Sequence, residues 1–132
     1  MTTAVLARPE AVRVPGPDTD TGKWSARYSV AVGAGEPVFA GHYPDFAIFP
    51  GVCVLECVRA AAEASVPPAA DGVRFAAVES CRFLAAVHPG DVLDIELVWE
   101  PRGADWRCTA KVATGRGPAA SVRCRYRCGD AA

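Results

Sequence analysis

The sequence predicts an α+β fold, an antiparallel sheet with one buried helix near its start. Three observations carry this. From residue 23 onward, stretches of alternating apolar and polar side chains recur between turns rich in Gly and Pro, the pattern of half-buried strands joined by tight connections. One stretch breaks the rhythm: between Val52 and Ala62 only Glu56 and Arg59 are charged. Apolar side chains there lie almost all the way round a helix, the mark of a buried rather than a surface helix. Finally, 132 residues suffice for one domain with its own core, without metal or disulfide staples.

Taken in order, residues 1–22 are expected to be a weakly structured leader, because Pro9, Pro15, Gly16, Pro17 and Asp18-Thr19-Asp20-Thr21 are turn and breaker chemistry. Residues 23–132 would form the single domain. Residues 23–32 alternate Trp24, Ala26, Tyr28, Val30 and Val32 against Lys23, Ser25, Arg27 and Ser29, a half-buried strand. Residues 33–37 break it, and Val38-Phe39 leads into a Gly-His-Tyr-Pro turn at His42. Pro50 and Gly51 suit the helix entrance, where a missing or unpaired N–H costs little. Pro67, Pro68 and Asp71-Gly72 end the connection that follows the helix. Residues 73–87 read as one long strand with apolar residues on both faces, as at a subunit contact. The stretches around Leu93–Trp99, Trp106–Val112 and Val122–Cys128 alternate in the same way. A run of strands plus one early helix gives the α+β class.

Net charge is −1, which advertises neither a nucleic-acid partner nor an anionic membrane surface. No apolar run reaches the roughly 18 residues needed to span a bilayer. Arg8, Pro9 and Glu10 interrupt any signal-peptide layout, so a cytoplasmic setting is expected. The six cysteines contain no Cys-x-x-Cys pair, and the two histidines fall in turns rather than at zinc-ligand spacings. In a reducing compartment such thiols stay free and pack as small hydrophobes, so the expectation is six core cysteines without metal. Arg123, Arg125 and Arg127 would form a solvated sheet face or a docking patch for an acidic partner.

The chemistry centres on Glu56 and His42. A charged residue is almost never fully buried without a partner, and a carboxyl in apolar surroundings holds its proton nearer neutral pH. A histidine, with an ordinary pKa of about 6.5, is a suitable base beside it. Together they would move two protons in one step. Spacing leaves a second reading open: His42 capping a turn and Glu56 pairing with Arg59 one turn on.

Specific wording adds to this. Gly41-His42-Tyr43-Pro44, then Ile48-Phe49-Pro50-Gly51-Val52, then Leu55-Glu56, with Glu56 fourteen residues after His42 (56 − 42 = 14), resembles the signature of the β-hydroxyacyl-acyl-carrier-protein dehydratases. These are enzymes of the hot-dog fold, a curled antiparallel sheet around one central helix. The likeness resumes at Cys81-Arg82-Phe83 and Val87-His88-Pro89-Gly90-Asp91, and covers residues 28–127.

The resemblance implies an enzyme, a 3-hydroxyacyl-[acyl-carrier-protein] dehydratase of fatty-acid or polyketide-type biosynthesis. It would yield a 2-enoyl thioester with no cofactor and no metal. His42 would remove the α-proton, Glu56 would protonate the departing hydroxyl, and the Gly51 N–H would polarise the thioester carbonyl. Phe49, Pro50 and Val52 would flank the substrate. Partners would be an acyl-carrier protein and a second copy, His42 and Glu56 meeting across a homodimer interface. The chain departs from the family at Ala47, usually Pro, and at Ala60, usually Gln; Arg59 also sits close enough to lower the Glu56 pKa. Two alternatives share the fold: an acyl thioesterase, or a non-catalytic subunit that binds an acyl chain.

Overall fold

The computed structural model describes residues 5–41 and 48–128. Six strands and two helices follow in the order β1 (Glu10–Pro17), β2 (Trp24–Ala31), α1 (Pro37–Gly41), α2 (Gly51–Ala64), β3 (Arg74–Phe83), β4 (Val92–Arg102), β5 (Asp105–Thr114) and β6 (Gly117–Arg127), with a single 3₁₀ turn at Pro68–Ala70 before β3. The strands form one sheet in the order β1-β2-β4-β5-β6-β3, every neighbouring pair antiparallel. Strands β4, β5 and β6 are a meander joined by short turns. β3 closes the sheet at the far edge by pairing with β6.

The alternation read from the sequence sets the two faces. Leu93, Ile95, Leu97 and Trp99 of β4 point inward with Cys108, Ala110 and Val112 of β5 and Val122, Cys124 and Tyr126 of β6. The sheet curls around α2, which contributes Cys53, Val54, Cys57, Val58, Ala61 and Ala62 to the same core. These α2 positions recur at intervals of three and four, one face of a helix. At its C-terminal end the indole N–H groups of Trp24 and Trp99 both reach Ser65, the first donating to its carbonyl at 2.8 Å and the second to its hydroxyl at 3.1 Å.

Several expectations need correction. Residues 10–17, expected within a weakly structured leader, form β1, because backbone pairing with β2 compensates for a strand whose side chains are mostly exposed. Register shifts beside Ala11 and Arg13 absorb the breaker residues. The short helix α1 was not anticipated; Pro37 fits its first turn, where no N–H is needed. The long strand expected over 73–87 ends at Phe83, and residues 84–87 leave the sheet. Bulges between Phe75 and Ala77 and between Val78 and Ser80 change which face β3 presents, so a strict two-residue alternation loses phase there. Nor is α2 buried all round. Within one chain Val52, Glu56, Glu63 and Ala64 are exposed, because a helix laid on a single sheet has only one face to cover.

Candidate active site

The entrance of α2 is where the sequence-predicted residues converge. Pro50 takes the N-cap with extended backbone (φ −62°, ψ 154°), and its carbonyl accepts the N–H groups of Cys53 and Val54 at 2.9 and 3.1 Å. Gly51 is the first helical residue, at the end where N–H groups lack intrahelical acceptors and the dipole is positive. A Cβ there would lie 2.7 Å from the ring of Phe83, an exposed side chain that would have to swing aside. Phe49, buried, donates its N–H to the Val87 carbonyl at 2.7 Å and sets its ring 6.1 Å from that of Phe39.

A cavity of about 480 Å³ opens here, lined by Phe49, Gly51, Val54, Phe83 and the segment 84–87. Its lining is apolar apart from backbone. That segment is held from behind. Leu84 N–H donates to the Ala119 carbonyl at 2.8 Å. Arg116, from the β5–β6 turn, grips both carboxylate oxygens of Asp91 (2.8 and 2.7 Å) and reaches the Ala86 carbonyl at 3.2 Å. Asp91 also accepts the His88 N–H at 2.7 Å. The Arg116 hydrogen bond, then that of the His88 backbone, holds the Asp91 carboxyl down to about 2.

Glu56 and Val52 stand away from this cavity wall, one turn apart on the exposed stripe of α2, with the Val52 residue 61% exposed and the Glu56 side chain 48%. The apolar surroundings expected for Glu56 are therefore absent within one chain. Its carboxylate lies 3.8 Å from the Arg59 guanidinium, which is also 3.9 Å from Glu63 and stacked 4.2 Å from the Phe75 ring centroid. An ion pair so long and so exposed contributes little. His42 lies outside the described residues, as does Ala47. The structure thus brings Phe49, Pro50 and Gly51 together and places Glu56 on the same helix, facing outward.

The thiols along α2 are not nucleophiles. Burial, then the charge of Glu36, pushes Cys57 up to about 12, and burial raises Cys53; a thiol needs a lowered pKa to react. Cys53, Cys57, Cys108 and Cys124 are buried, Cys81 is half-buried and Cys128 is exposed, all of them free, so Cys128 departs from the core role expected of it. The cavity residues that sequence reasoning left without a role are Phe83 and segment 84–87. The likeness at Cys81-Arg82-Phe83 and at Val87 was their signal, and the predicted long strand hid their departure from the sheet.

Comparison with known proteins settles the family. The model of the ApeI-like family, described as the ApeI dehydratase, matches residues 18–120. The chain belongs to the ApeI-like dehydratase family. Curated relatives include the 3-hydroxyacyl-[acyl-carrier-protein] dehydratase FabZ of Desulforamulus reducens, 37% identical over 104 residues that cover 75% of this chain and 73% of that protein. That of Pectobacterium atrosepticum is 41% identical over 101 residues, 70% of this chain and 67% of that protein. Among solved structures, the dehydratase heterocomplex ApeI:P of Xenorhabdus doucetiae superposes with a TM-score of 0.66 at 18% identity, over 91% of this chain and 98% of that one. A Streptococcus mutans protein bound to acetyl CoA gives 0.72 at 10% identity, over 94% and 90%. The hot-dog fold and the dehydratase class implied by the sequence are both met. Among the described residues, no helix of this ApeI-like dehydratase is long and apolar enough to cross a membrane.

Proposed function

We propose that this chain dehydrates a 3-hydroxyacyl group carried as a thioester on an acyl-carrier protein, giving the 2-enoyl thioester in fatty-acid or polyketide-type biosynthesis. The observation that carries the reading is the bare helix entrance at Gly51, opening onto an apolar cavity of about 480 Å³ in a chain of a dehydratase family. The thioester carbonyl would take the Gly51 N–H, where the helix end stabilises the enolate-like charge. His42 would take the proton from C2. The electron pair of that bond becomes the C2=C3 double bond as the C3–O bond breaks, and Glu56 would give its proton to the leaving hydroxyl, which departs as water. Phe49 and Pro50 would border the acyl chain, and Val52, away from the cavity within one chain, would do so only where the second copy covers the exposed stripe of α2.

The site is completed by a second copy. Strand β3 is an edge of the sheet, with Val78, Phe83 and Leu84 exposed, and the Val52–Glu56 stripe of α2 is uncovered as well. A row of unpaired backbone groups beside exposed apolar side chains favours pairing with another chain. A homodimer along β3 would cover both and surround Glu56 with the partner's apolar surface. The carrier would approach the basic outer face of β6 and β5. There Arg125 lies opposite Arg107, and Arg127 opposite Arg74 across β3. Arg107 is already paired with Glu79 and Glu100 (3.4 and 3.9 Å), so the attraction for an acidic partner would come from the arginines of β6. Six free thiols support a reducing, cytoplasmic setting.

The decisive experiment uses Glu56→Gln, which keeps shape but has no proton to donate. Turnover of a 3-hydroxyacyl thioester should fall about 10²–10⁴-fold with the melting temperature nearly unchanged, since the Arg59 pair contributes little. A stable, fully active variant would sink the mechanism. Mixing His42→Ala with Glu56→Ala chains should restore part of the activity through hybrid dimers. Enoyl product rather than free thiol separates dehydration from thioesterase activity.

A further inference from the structure

Among the described residues Glu36 is the charged side chain that is fully buried, 4% exposed. A carboxylate is rarely placed so without compensation. Its two oxygens accept the backbone N–H groups of Leu6 (2.9 Å) and Ala7 (2.7 Å), so they hold a segment some thirty residues earlier in the chain. That segment lies outside residues 18–120, the span the family model matches, whereas Glu36 lies within it. Val5 and Ala7 pack against the core from the same segment.

The main chain of Glu36 belongs to a different task. Its N–H donates to the Gly33 carbonyl at 3.2 Å and its carbonyl accepts the Phe39 N–H at 3.1 Å, which opens α1. Val38 is buried, and the Phe39 ring meets that of Phe49, the residue before Pro50 and Gly51. One residue thus fastens the N-terminal segment through its side chain and begins α1 through its backbone. The Glu36 charge also contributes, after burial, to raising the Cys53 and Cys57 thiols.

We propose that Glu36 is a positioning residue for the dehydration: its carboxylate straps residues 5–7 over α1, and the strapped α1 fixes the approach to the site. This rests on the reading that His42, which follows α1 in sequence, is the base, and that Phe49 to Gly51 hold the thioester. Losing the strap leaves the substrate groups in place but lets the catalytic approach wander, so it costs turnover rather than binding. Misplacement of about 1 Å is enough for a 10²-fold loss.

The test compares Glu36→Gln with Leu6→Pro and Ala7→Pro in the full chain. The Gln amide keeps one accepting oxygen but sets its NH2 against the other N–H, and each proline deletes one of the two N–H groups while leaving Glu36 intact. Hydrogen exchange would follow the Leu6 and Ala7 amides, and steady-state kinetics would be measured well below the melting temperature. The expected result in Glu36→Gln is fast exchange at whichever of Leu6 and Ala7 faces the Gln NH2, kcat down about 10- to 100-fold and KM within about twofold. Each proline variant should lose kcat in the same direction, and Glu36→Gln combined with Leu6→Pro should be no worse than Glu36→Gln alone, because the groups act as one unit. A freed amide with full kcat would overturn the positioning role, and both amides still protected in Glu36→Gln would overturn the clamp. If Glu36→Gln does not fold, the two proline variants decide, full kcat in both overturning the proposal. His42→Ala is the control: activity surviving in it refutes the assigned base, while the exchange data still judge the strap.

Discussion

The smallest feature with a large effect on the site is the grip of Arg116 on Asp91. It joins the β5–β6 turn to the loop that lines the cavity, and through Ala86 and Val87 it reaches Phe49. The folded state holds Asp91 well below an ordinary carboxylate, near 2. A depressed carboxyl stabilises the fold above its unfolded value near 4 and loses that contribution as the pH falls through the folded value. Arg116→Met should therefore be less stable than the parent at neutral pH. That gap should close between pH 4 and 2. Thermal melts of both proteins across that range would show it, and a gap independent of pH would exclude the ion pair as its source. None of this could be read from the sequence. Asp91 there is the end of a Pro-Gly-Asp turn and Arg116 one of several exposed arginines, and twenty-five residues separate them.

At the scale of elements, β4, β5 and β6 were legible because each is half-buried, so polarity alternates with a period of two and burial follows it. The entrance of α2 was legible for a local reason as well: Pro at the cap and Gly at the first turn. β1 was hidden because its side chains are mostly exposed and only its backbone is paired. The end of β3 was hidden because the bulges shift its phase and because small apolar residues continue past Phe83 into the cavity wall. Glu36 escaped notice for the same reason as Arg116, since its partners lie far away in the chain. A direct check on β3 is Val78→Lys at the exposed edge. A lysine there is the device natural sheets use to refuse another strand. The variant should remain folded by circular dichroism, sediment as a monomer and lose turnover. An active dimer would mean that the second copy joins elsewhere.

Taken whole, the molecule is nearly neutral yet divides its charge, with Arg123, Arg125 and Arg127 along one strand of the outer sheet face. If that face receives an acidic carrier, replacing all three with Ala should raise KM several-fold for a carrier-linked substrate and leave KM for a short pantetheine thioester unchanged. The first effect should fade as salt screens the charges. Equal changes for both substrates would move the carrier to another surface. The two ends of α2 also differ in what light can report. Fourteen residues separate them by about 20 Å at 1.5 Å per residue. Trp24 and Trp99 converge on Ser65 at the end remote from the cavity. Indole emission from this pair is thus a natural gauge of whether the scaffold is intact, insulated by distance from whatever acyl group occupies the opposite end.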